Sequence, residues 1–514
     1  MPEPISLQPG QKQLFLDDFV VQEIQHLDRT MHRPEKSDPL LKADRPSDGS
    51  HIAIASAPMW IPDEGIYKFP YEVRRDDSNG KEMALAVSTD GLHWEKPDLG
   101  LVSFEGSTKN NLFPTPDNRR LWHIVYDPDD PDDARRYKGF VTVPGGRHPV
   151  VSPDCLHWTK LDIDPQTLPS GDAGTLTYDR DNKQFLGLLK FKSQYGRAYN
   201  LTTSTDFANW TEPRFLFGTD EEDQTQAIDV IRRRLANPNF AKPLMVAPDP
   251  SIGWREPDPS PWRGDPTWRA ECYNMGVFPY EGLHIATLMI YYPTGPRLPE
   301  GTNCDGFHHI QLAMTRDLKT WTRLGNREPF IGPSPLSKGL VGNYDRLQLQ
   351  VTNQPLDRGD ELWFYYEGMK SRVPQHDRWT DGSPRDPSTL TPEERADWLE
   401  DTLSGVYVAV LRKDGFVSLD AEPQGGQILT HPLKWAGDHL FLNLDAPAGH
   451  ARLELLDARG VPIPGLSGED APIVHGDGIC LHVPWPRNLS ALSGQTVQLR
   501  IHLQNARLYA FWTA

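Results

Sequence analysis

The sequence predicts an all-β protein, a five-bladed β-propeller followed by a C-terminal β-sandwich. Three observations lead there: a short motif ending in tryptophan occurs four times, a turn-and-strand signature occurs five times, and the residue pattern changes near residue 425. The 48 prolines and 41 glycines favour many short strands, because both residue types punctuate turns. With 514 residues the chain also exceeds what one hydrophobic core usually supports, so we expect two domains.

The tryptophan motif has the pattern Ser/Thr-x-Asp-x-x-x-Trp. Its copies occupy residues 88–94, 152–158, 204–210 and 315–321. Aspartate accepts backbone N–H bonds within a turn, and tryptophan packs the next strand against a neighbouring sheet. Each copy therefore predicts one hairpin, with its tryptophan at an equivalent place in a blade. The alternative is a chance recurrence of a loose pattern.

The second signature is a turn rich in Asp, Pro or Gly followed by an apolar and aromatic strand. Its copies lie at residues 62–69, 126–140, 178–185, 279–284 and 358–366. No tryptophan motif follows the fifth copy, but residues 405–419 supply two more strands about a turn. Five sheets arranged radially can pack their faces on one another and leave only short edges, which is the propeller architecture.

Two segments between the repeated strand patterns carry sequences typical of helix N-termini. Thr219 and Glu222 have capping-box spacing, and Thr391 with Glu394 repeats it around Pro392.

After about residue 425 short runs alternate apolar and polar residues, as half-buried antiparallel strands do. The predicted division is a catalytic propeller over residues 1–425 and a β-sandwich over residues 426–514.

The net charge of −18 argues against nucleic acid and anionic membranes as partners, since both need a basic surface. A carbohydrate substrate suits this charge, and the sequence leaves the oligomeric state open. The first residues lack the basic and apolar regions of a signal peptide, so a cytoplasmic location is expected unless a signal was trimmed. The four cysteines are far apart and predict free thiols.

Four short segments carry a resemblance to a known family: residues 14–19 (LFLDDF), 277–282 (VFPYEG), 411–419 (LRKDGFVSL) and 505–509 (NARLY). They resemble bacterial proteins described as similar to the N-terminal domain of glycoside hydrolase family 32, and the likeness covers nearly the whole chain. It implies a five-bladed propeller, as in families 32 and 43, whose catalytic carboxylates project from inner strands into an axial pocket. Family 32 also carries a C-terminal sandwich.

Cleavage of a glycosidic bond needs one carboxylic acid and one carboxylate. Acids that begin an inner strand are the candidates, which selects Glu271, Asp172 and Asp345. Glu271 with Cys272 resembles the Glu-Cys dipeptide that carries the acid/base in family 32, so Glu271 is expected to stay protonated near neutral pH. A structural salt bridge is the alternative for Glu271, and a turn cap is the alternative for Asp172.

Residues near the N-terminal ends of the inner strands are the candidates for substrate binding. They would donate or accept hydrogen bonds with sugar hydroxyl groups or stack on sugar rings. They are Asp48, His51, Asn111, His123, Trp268, Arg269, His309 and Tyr344. Neither a metal site nor a cofactor is predicted, although a structural calcium ion is an alternative. Histidines of this kind are more often structural than metal-ligating.

The predicted function is a glycoside hydrolase that removes a terminal sugar, with furanosides such as fructosides suggested by the resemblance. Two alternatives stay open. One is a phosphorolytic or lyase-type carbohydrate enzyme, in which an arginine-rich pocket replaces one carboxylate. The other is a propeller that binds carbohydrate without catalysis.

Overall fold

The computed structural model describes residues 3–54, 56–74, 82–163, 168–247, 249, 268–296, 304–371, 388, 390–400 and 402–514. Five antiparallel sheets form the blades of a propeller, and an eleven-stranded sheet forms a second, curled β domain. The described helices are α1 (Glu221–Ala236) and α2 (Pro392–Leu399), with short 3-10 turns elsewhere. The prediction of five blades and a further β domain is confirmed.

Each blade begins with an inner strand, and the strands of a blade follow in chain order. Blade I contains the inner strand His51–Ile54, the second strand Ile66–Arg74, the third strand Glu82–Ser88 and the fourth strand Leu112–Phe113, and the short strand Met59–Ile61 also pairs with the second strand. Blade II contains Leu121–Tyr126, Tyr137–Val143, Gly146–Ser152, Thr159–Lys160 and Leu168–Pro169. Blade III contains Gly174–Asp179, Gln184–Ser193, Gly196–Ser204 and Arg214–Gly218. Blade IV contains Glu271–Tyr280, Leu283–Pro296, Cys304–Thr315 and Thr322–Arg323. Blade V contains Gln348–Val351, Leu356–Asp357, Glu361–Met369 and Ser404–Arg412.

The inner strands surround one axis. Those of blades II, III, IV and V contact one another in succession, and the inner strand of blade I contacts blade V. Asn353, just after the inner strand of blade V, crosses the middle of this ring. Its side chain donates to the carbonyl of Leu176 in blade III (2.9 Å) and accepts from the N–H of Ala57 after the inner strand of blade I (2.9 Å). The axis therefore has two mouths with Asn353 between them.

Blade V is completed by the N-terminal part of the chain. The strands Glu35–Lys36 and Leu41–Lys42 pair with Ser404–Arg412, with Lys36 opposite Ala409 and Leu41 opposite Val406. Such pairing between distant parts of the chain closes the ring and protects the edge of the last blade.

The curled sheet combines residues from both ends of the chain. Its strands are Ile5–Ser6, Gln13–Leu14, Val21–Gln25, Asp28–Met31, Val417–Ala421, Gly426–Thr430, Leu433–Lys434, Leu440–Asp457, Ile473–His482, Thr496–Gln504 and Ala506–Thr513. The long strand Leu440–Asp457 pairs first with Ala506–Thr513 and then with Thr496–Gln504, so the sheet folds over its own core. This membership differs from the predicted ranges, because residues 5–31 and 417–421 belong to the curled sheet.

The tryptophan motifs lie at equivalent places, in the turn between the third and fourth strands of blades I to IV. In blade II, Asp154 accepts the backbone N–H groups of Leu156 and His157, both at 2.9 Å. The residue after the aspartate has positive φ in every copy, from 54° to 81°. The prediction from the repeat is confirmed, and the aspartate stabilises a left-handed turn.

The two helices differ in how well their starts were predicted. Thr391 caps α2 together with Glu394, as expected. At α1 the cap is Asp220 with Asp223, one residue after the predicted pair. Thr219 is not available as the cap, because its hydroxyl donates to the carbonyl of Ala270 in the neighbouring blade (3.0 Å).

Candidate active site at the axis

Charged side chains from blades I to IV meet at the mouth of the axis where the inner strands begin. Second strands end and third strands begin at this same mouth, so they contribute residues as well. We call this group the axial cluster; its members are Glu72, Arg74, Arg120, Arg147, Asp172, Lys190, Arg197, Arg269 and Glu271. Cations outnumber carboxylates in it, although the chain as a whole is acidic.

Glu271, the first residue of the inner strand of blade IV, is held between two arginines. Its Oε1 accepts from Nε of Arg269 at 2.7 Å, and its Oε2 accepts from Nη1 of Arg197 at 2.5 Å. Burial raises the pKa of Glu271, but the two guanidinium groups outweigh burial and hold that pKa below its usual value. The expectation of a protonated Glu271 is therefore wrong for this geometry, and the salt-bridge alternative describes it.

Asp172 lies just before the inner strand of blade III and is the accessible carboxylate of the axial cluster, with 72% of its side chain exposed. Its Oδ1 accepts from Nζ of Lys190 at 2.7 Å. Partial desolvation raises the pKa of Asp172, but Lys190, Arg197 and Arg120 hold it well below the usual range. Asp172 is thus an ionised carboxylate that a ligand can reach.

The ring of Tyr273 contacts both Lys190, which pairs with Asp172, and Arg197, which pairs with Glu271. Tyr273, in the inner strand of blade IV, has Nζ of Lys190 at 4.0 Å from its ring centroid and the guanidinium carbon of Arg197 at 5.0 Å. Cations at these distances are attracted to the ring face. The two carboxylates therefore belong to one continuous site that joins blades III and IV.

Blades I and II add a second set of ion pairs. Glu72 accepts from Arg74 at 2.7 Å and pairs closely with Arg120. Burial lowers the pKa of Arg120 to about 9, with further lowering by Arg74 and Arg147 and an opposing contribution from Glu72. Burial likewise lowers the pKa of Arg147 to about 10. The side chain of Arg147 is buried, and its Nε and Nη2 have no hydrogen-bond partner within the described part of the chain.

Two of the predicted binding histidines border this mouth but are buried. His51, opposite Arg74 in the ladder of blade I, is 2.9 Å from Oε1 of Glu367 in blade V. Burial, followed by the charge of Arg74, lowers the pKa of His51. His123 lies in the inner strand of blade II, beside Gly174 at the head of blade III. His51 thus joins blade I to blade V, and His123 packs close to the backbone of blade III.

Asp345 is not part of the axial cluster, contrary to the expectation. It is fully buried, and its Oδ2 accepts from Lys36 (2.7 Å), Ser334 (3.0 Å) and Tyr366 (2.9 Å). Lys36 belongs to the outermost strand of blade V, so this carboxylate lies away from the axis. It joins the closing strand to the blade and cannot be reached by a substrate.

Three further predicted binding residues make their contacts outside the axial cluster, two of them buried and His309 half-buried. The hydroxyl of Tyr344 donates to Glu400 beside α2 at 2.5 Å. The indole N–H of Trp268 donates to the carbonyl of Thr294 at 3.2 Å, within the core that blade IV shares with α1. His309 lies on the third strand of blade IV against the ring of Tyr292 (5.3 Å), and burial lowers its pKa to about 3.

The remaining two candidates form a structural chain inside blade I. Asp48 accepts from Nζ of Lys96 (2.6 Å) and from the hydroxyl of Tyr71 (3.1 Å), and no part of it is exposed. The side-chain amide of Asn111 donates to the same hydroxyl at 2.7 Å. Asn111 precedes the outermost strand of blade I and not the inner strand of blade II, because the first blade extends further along the chain than the repeat indicated.

Sequence reasoning from inner strands alone identified Arg269 but not the other cations of the axial cluster, several of which lie on second and third strands. The signal that identifies them is position within a hairpin: the last residues of a second strand and the first residues of a third strand lie at the mouth where the inner strand begins. Arg74 ends a second strand, and Arg197 and Arg147 each follow the first residue of a third strand.

The described residues contain neither a metal-binding group of side chains nor a membrane-spanning helix. Within these ranges no group of three or more His, Cys, Asp or Glu side chains is arranged to hold a metal ion. No helix in the described chain is long and apolar enough to cross a membrane.

No protein-family model matches the sequence, and no curated protein matches it. Among solved structures, the chain is similar to a Bombyx mori family 32 β-fructofuranosidase, with 11% identity, a TM-score of 0.38 and coverage of 94% of this chain and 93% of that one. It is similar to a thermostable family 43 glycoside hydrolase, with 14% identity, a TM-score of 0.37 and coverage of 72% and 94%. An N-acetylgalactosamine deacetylase from F. plautii gives 13% identity, a TM-score of 0.37 and coverage of 80% and 96%. These values carry no activity over to this chain.

Proposed function

We propose that the protein is a glycoside hydrolase that removes a terminal sugar at the axial cluster, with Asp172 as the ionised carboxylate of the reaction. The observation that carries the proposal is that Asp172 is both exposed and flanked by cations that keep it charged. Such a carboxylate can attack an anomeric carbon or activate a water molecule.

Glu271 has a positioning role in this proposal. It is buried and holds Arg197 and Arg269 with its two oxygens. Arg197 also contributes to the low pKa of Asp172. The Glu271 carboxylate thus orients a cation that keeps Asp172 ionised, and it reaches the substrate only through that cation.

The test is hydrolysis of 4-nitrophenyl glycosides, whose leaving group departs without a proton, by wild type and Asp172→Asn. The panel begins with 4-nitrophenyl furanosides, and fructosides are tested separately as sucrose and short fructo-oligosaccharides, whose sugar leaving groups do need a proton. We expect Asp172→Asn to lower kcat/KM by at least about 10²-fold, the low end for loss of a group that acts in the transition state.

Asp129→Asn is the matched control, since Asp129 is an exposed aspartate in the turn at the opposite end of blade II. It should retain wild-type kcat/KM. A folded Asp172→Asn protein with unchanged turnover would overturn the role of Asp172. Sugar binding with no turnover on any glycoside of the panel would favour the non-catalytic propeller.

Arg147 favours a second candidate function, phosphorolysis. A buried guanidinium with unpaired nitrogens is costly unless an anion neutralises it. Asp172 is the principal negative charge acting on Arg147, yet no hydrogen bond links the two in the described structure. Inorganic phosphate bound here would supply both the missing anion and a nucleophile for the glycosidic bond.

The two functions differ in their product. Hydrolysis releases a free sugar whether or not phosphate is present, whereas phosphorolysis requires phosphate and yields a sugar phosphorylated at its anomeric carbon. For phosphorolysis, Arg147→Met should raise the KM for phosphate, while Arg119→Met, at an exposed arginine in the loop before the inner strand of blade II, should leave it unchanged. Formation of free sugar alone, at a rate independent of phosphate, would exclude this candidate.

A further inference from the structure

A cavity of about 760 Å³ occupies the other mouth of the axis, where the inner strands end. Ligand pockets in proteins span about 300–1,000 Å³, so its size is that of a binding site. Asn353 lies at the boundary of the cavity and links blades V, III and I across the axis. The cavity is therefore distinct from the axial cluster, which lies on the far side of Asn353.

Aromatic rings from four blades line this cavity; three of them lie in copies of the turn-and-strand signature, and Trp60 lies just before the first copy. They are Trp60 of blade I, Tyr126 of blade II, Tyr178 of blade III and Tyr280 of blade IV. Each is backed by a second ring, at 4.8 Å for Trp60 on Tyr67 and 4.5 Å for Tyr178 on Phe185. The backing holds the rings in place, so they can stack on a ligand with little loss of conformational freedom.

Trp60 is the most unusual member of this set. The residue is 42% exposed, while the chain's other described tryptophans are buried or half-buried. An exposed indole that is held against a tyrosine and faces a cavity presents an apolar ring face together with an N–H donor. Pyranose and furanose rings offer matching surfaces, with apolar C–H faces and hydroxyl groups at the edge.

The charged residues of the cavity balance one another. Arg180 and Asp181 follow Tyr178 at the end of blade III, and Asp357 and Arg358 lie on the blade V side. Their two positive and two negative charges give no net preference for an anion or a cation. Carboxylates and guanidinium groups around aromatic rings can instead bind several hydroxyl groups through paired hydrogen bonds.

We propose that this cavity is a second carbohydrate site, which binds a neutral oligosaccharide by stacking on Trp60 while the axial cluster acts on a chain end. The size of the cavity, the backed rings and the balanced charge carry the inference. The choice of carbohydrate as the ligand class agrees with the proposed function, but the site itself stands apart from catalysis.

The experiment measures binding by isothermal titration calorimetry on the full chain carrying Asp172→Asn, which limits turnover. The probes are fructo-, arabino-, xylo- and galacto-oligosaccharides of four to six residues. We expect at least one probe to bind, and the added change Trp60→Ala to weaken it by about tenfold, the value of one stacking interaction. Trp60→Phe should recover part of that loss, and Arg180→Ala should weaken the same probe.

Phe215→Ala is the matched control, because Phe215 is 56% exposed on the outermost strand of blade III, away from both mouths. It should leave binding unchanged. Failure of every probe to bind would overturn the proposal. So would a result in which the Trp60→Ala protein binds each probe as tightly as the protein that retains Trp60. Hydrolysis of small 4-nitrophenyl glycosides by Trp60→Ala in an otherwise wild-type chain should be unaffected, so failure here is distinct from failure of the catalytic proposal.

Discussion

Arg197 of blade III donates a 2.5 Å hydrogen bond to Glu271 of blade IV at the mouth of the axis. Both side chains are nearly inaccessible to solvent, with 11% and 1% exposed. The pair therefore couples two adjacent blades at the place where the accessible carboxylate, Asp172, is found. The contribution of this ion pair to stability can be measured by unfolding, separately from its contribution to turnover.

Glu271→Gln should lower the free energy of unfolding by about 3–5 kcal/mol, because it leaves Arg197 and Arg269 buried without their counter-charge. Urea denaturation at pH 7 measures the loss. Glu95→Gln, at an exposed glutamate of blade I, should stay within about 0.5 kcal/mol of wild type. A Glu271→Gln protein of unchanged stability that has lost turnover would instead support the direct acid role.

Lys36→Met should destabilise the protein by a similar amount, about 3–5 kcal/mol, since it leaves the buried Asp345 without a cation. The double variant Lys36→Met/Asp345→Asn should be more stable than Lys36→Met alone, because the unpaired charge is gone. Lys338→Met, at an exposed position nearby, is the control. Turnover per folded molecule should be unchanged in each variant, and a specific loss of turnover in Asp345→Asn would return Asp345 to the mechanism.

The turn aspartates should make stability fall at acid pH. Partial burial raises the pKa of Asp154, but hydrogen bonds from His157 and Leu156 lower it to about 2. A depressed pKa means that the stabilisation is present above the ordinary value of 3.8 and is lost as the pH falls towards 2. The stability difference between wild type and Asp154→Asn, from urea unfolding, should therefore shrink between pH 6 and pH 2.5. Parallel profiles over this interval would contradict the assignment.

Gly368→Ala should destabilise blade V by about 1–3 kcal/mol or more through overpacking. A methyl group at Gly368 would lie 2.3 Å from Cβ of Asp345 and 2.5 Å from its Cα, and backbone atoms cannot move aside cheaply. At Gly332 the nearest atom to such a methyl group is 3.5 Å away, so Gly332→Ala is the matched control. Thermal unfolding of both variants decides the point, and equal stability would show that blade V yields at this position.

The sequence by itself determined the local features that repeat. Blade number and the equivalent places of the four tryptophan motifs follow from residues within one hairpin, such as Asp154 binding the N–H groups of Leu156 and His157. The start of α2 follows in the same way, because Thr391 and Glu394 contact each other's backbone within a single helical turn. Such contacts depend on short stretches of chain, so the pattern of residue types is sufficient.

Only the tertiary structure decided which charges meet. Glu271 and Arg197 are 74 residues apart, and Asp345 and Lys36 are 309 residues apart. In the sequence Glu271, Asp345 and Asp172 look alike, because each lies at or before the start of an inner strand. Packing between blades buries Glu271 between two arginines and places Asp345 against the closing strand. It leaves Asp172 exposed. The protonation and accessibility of a carboxylate depend on neighbours brought from other blades, and no spacing within a single hairpin encodes them.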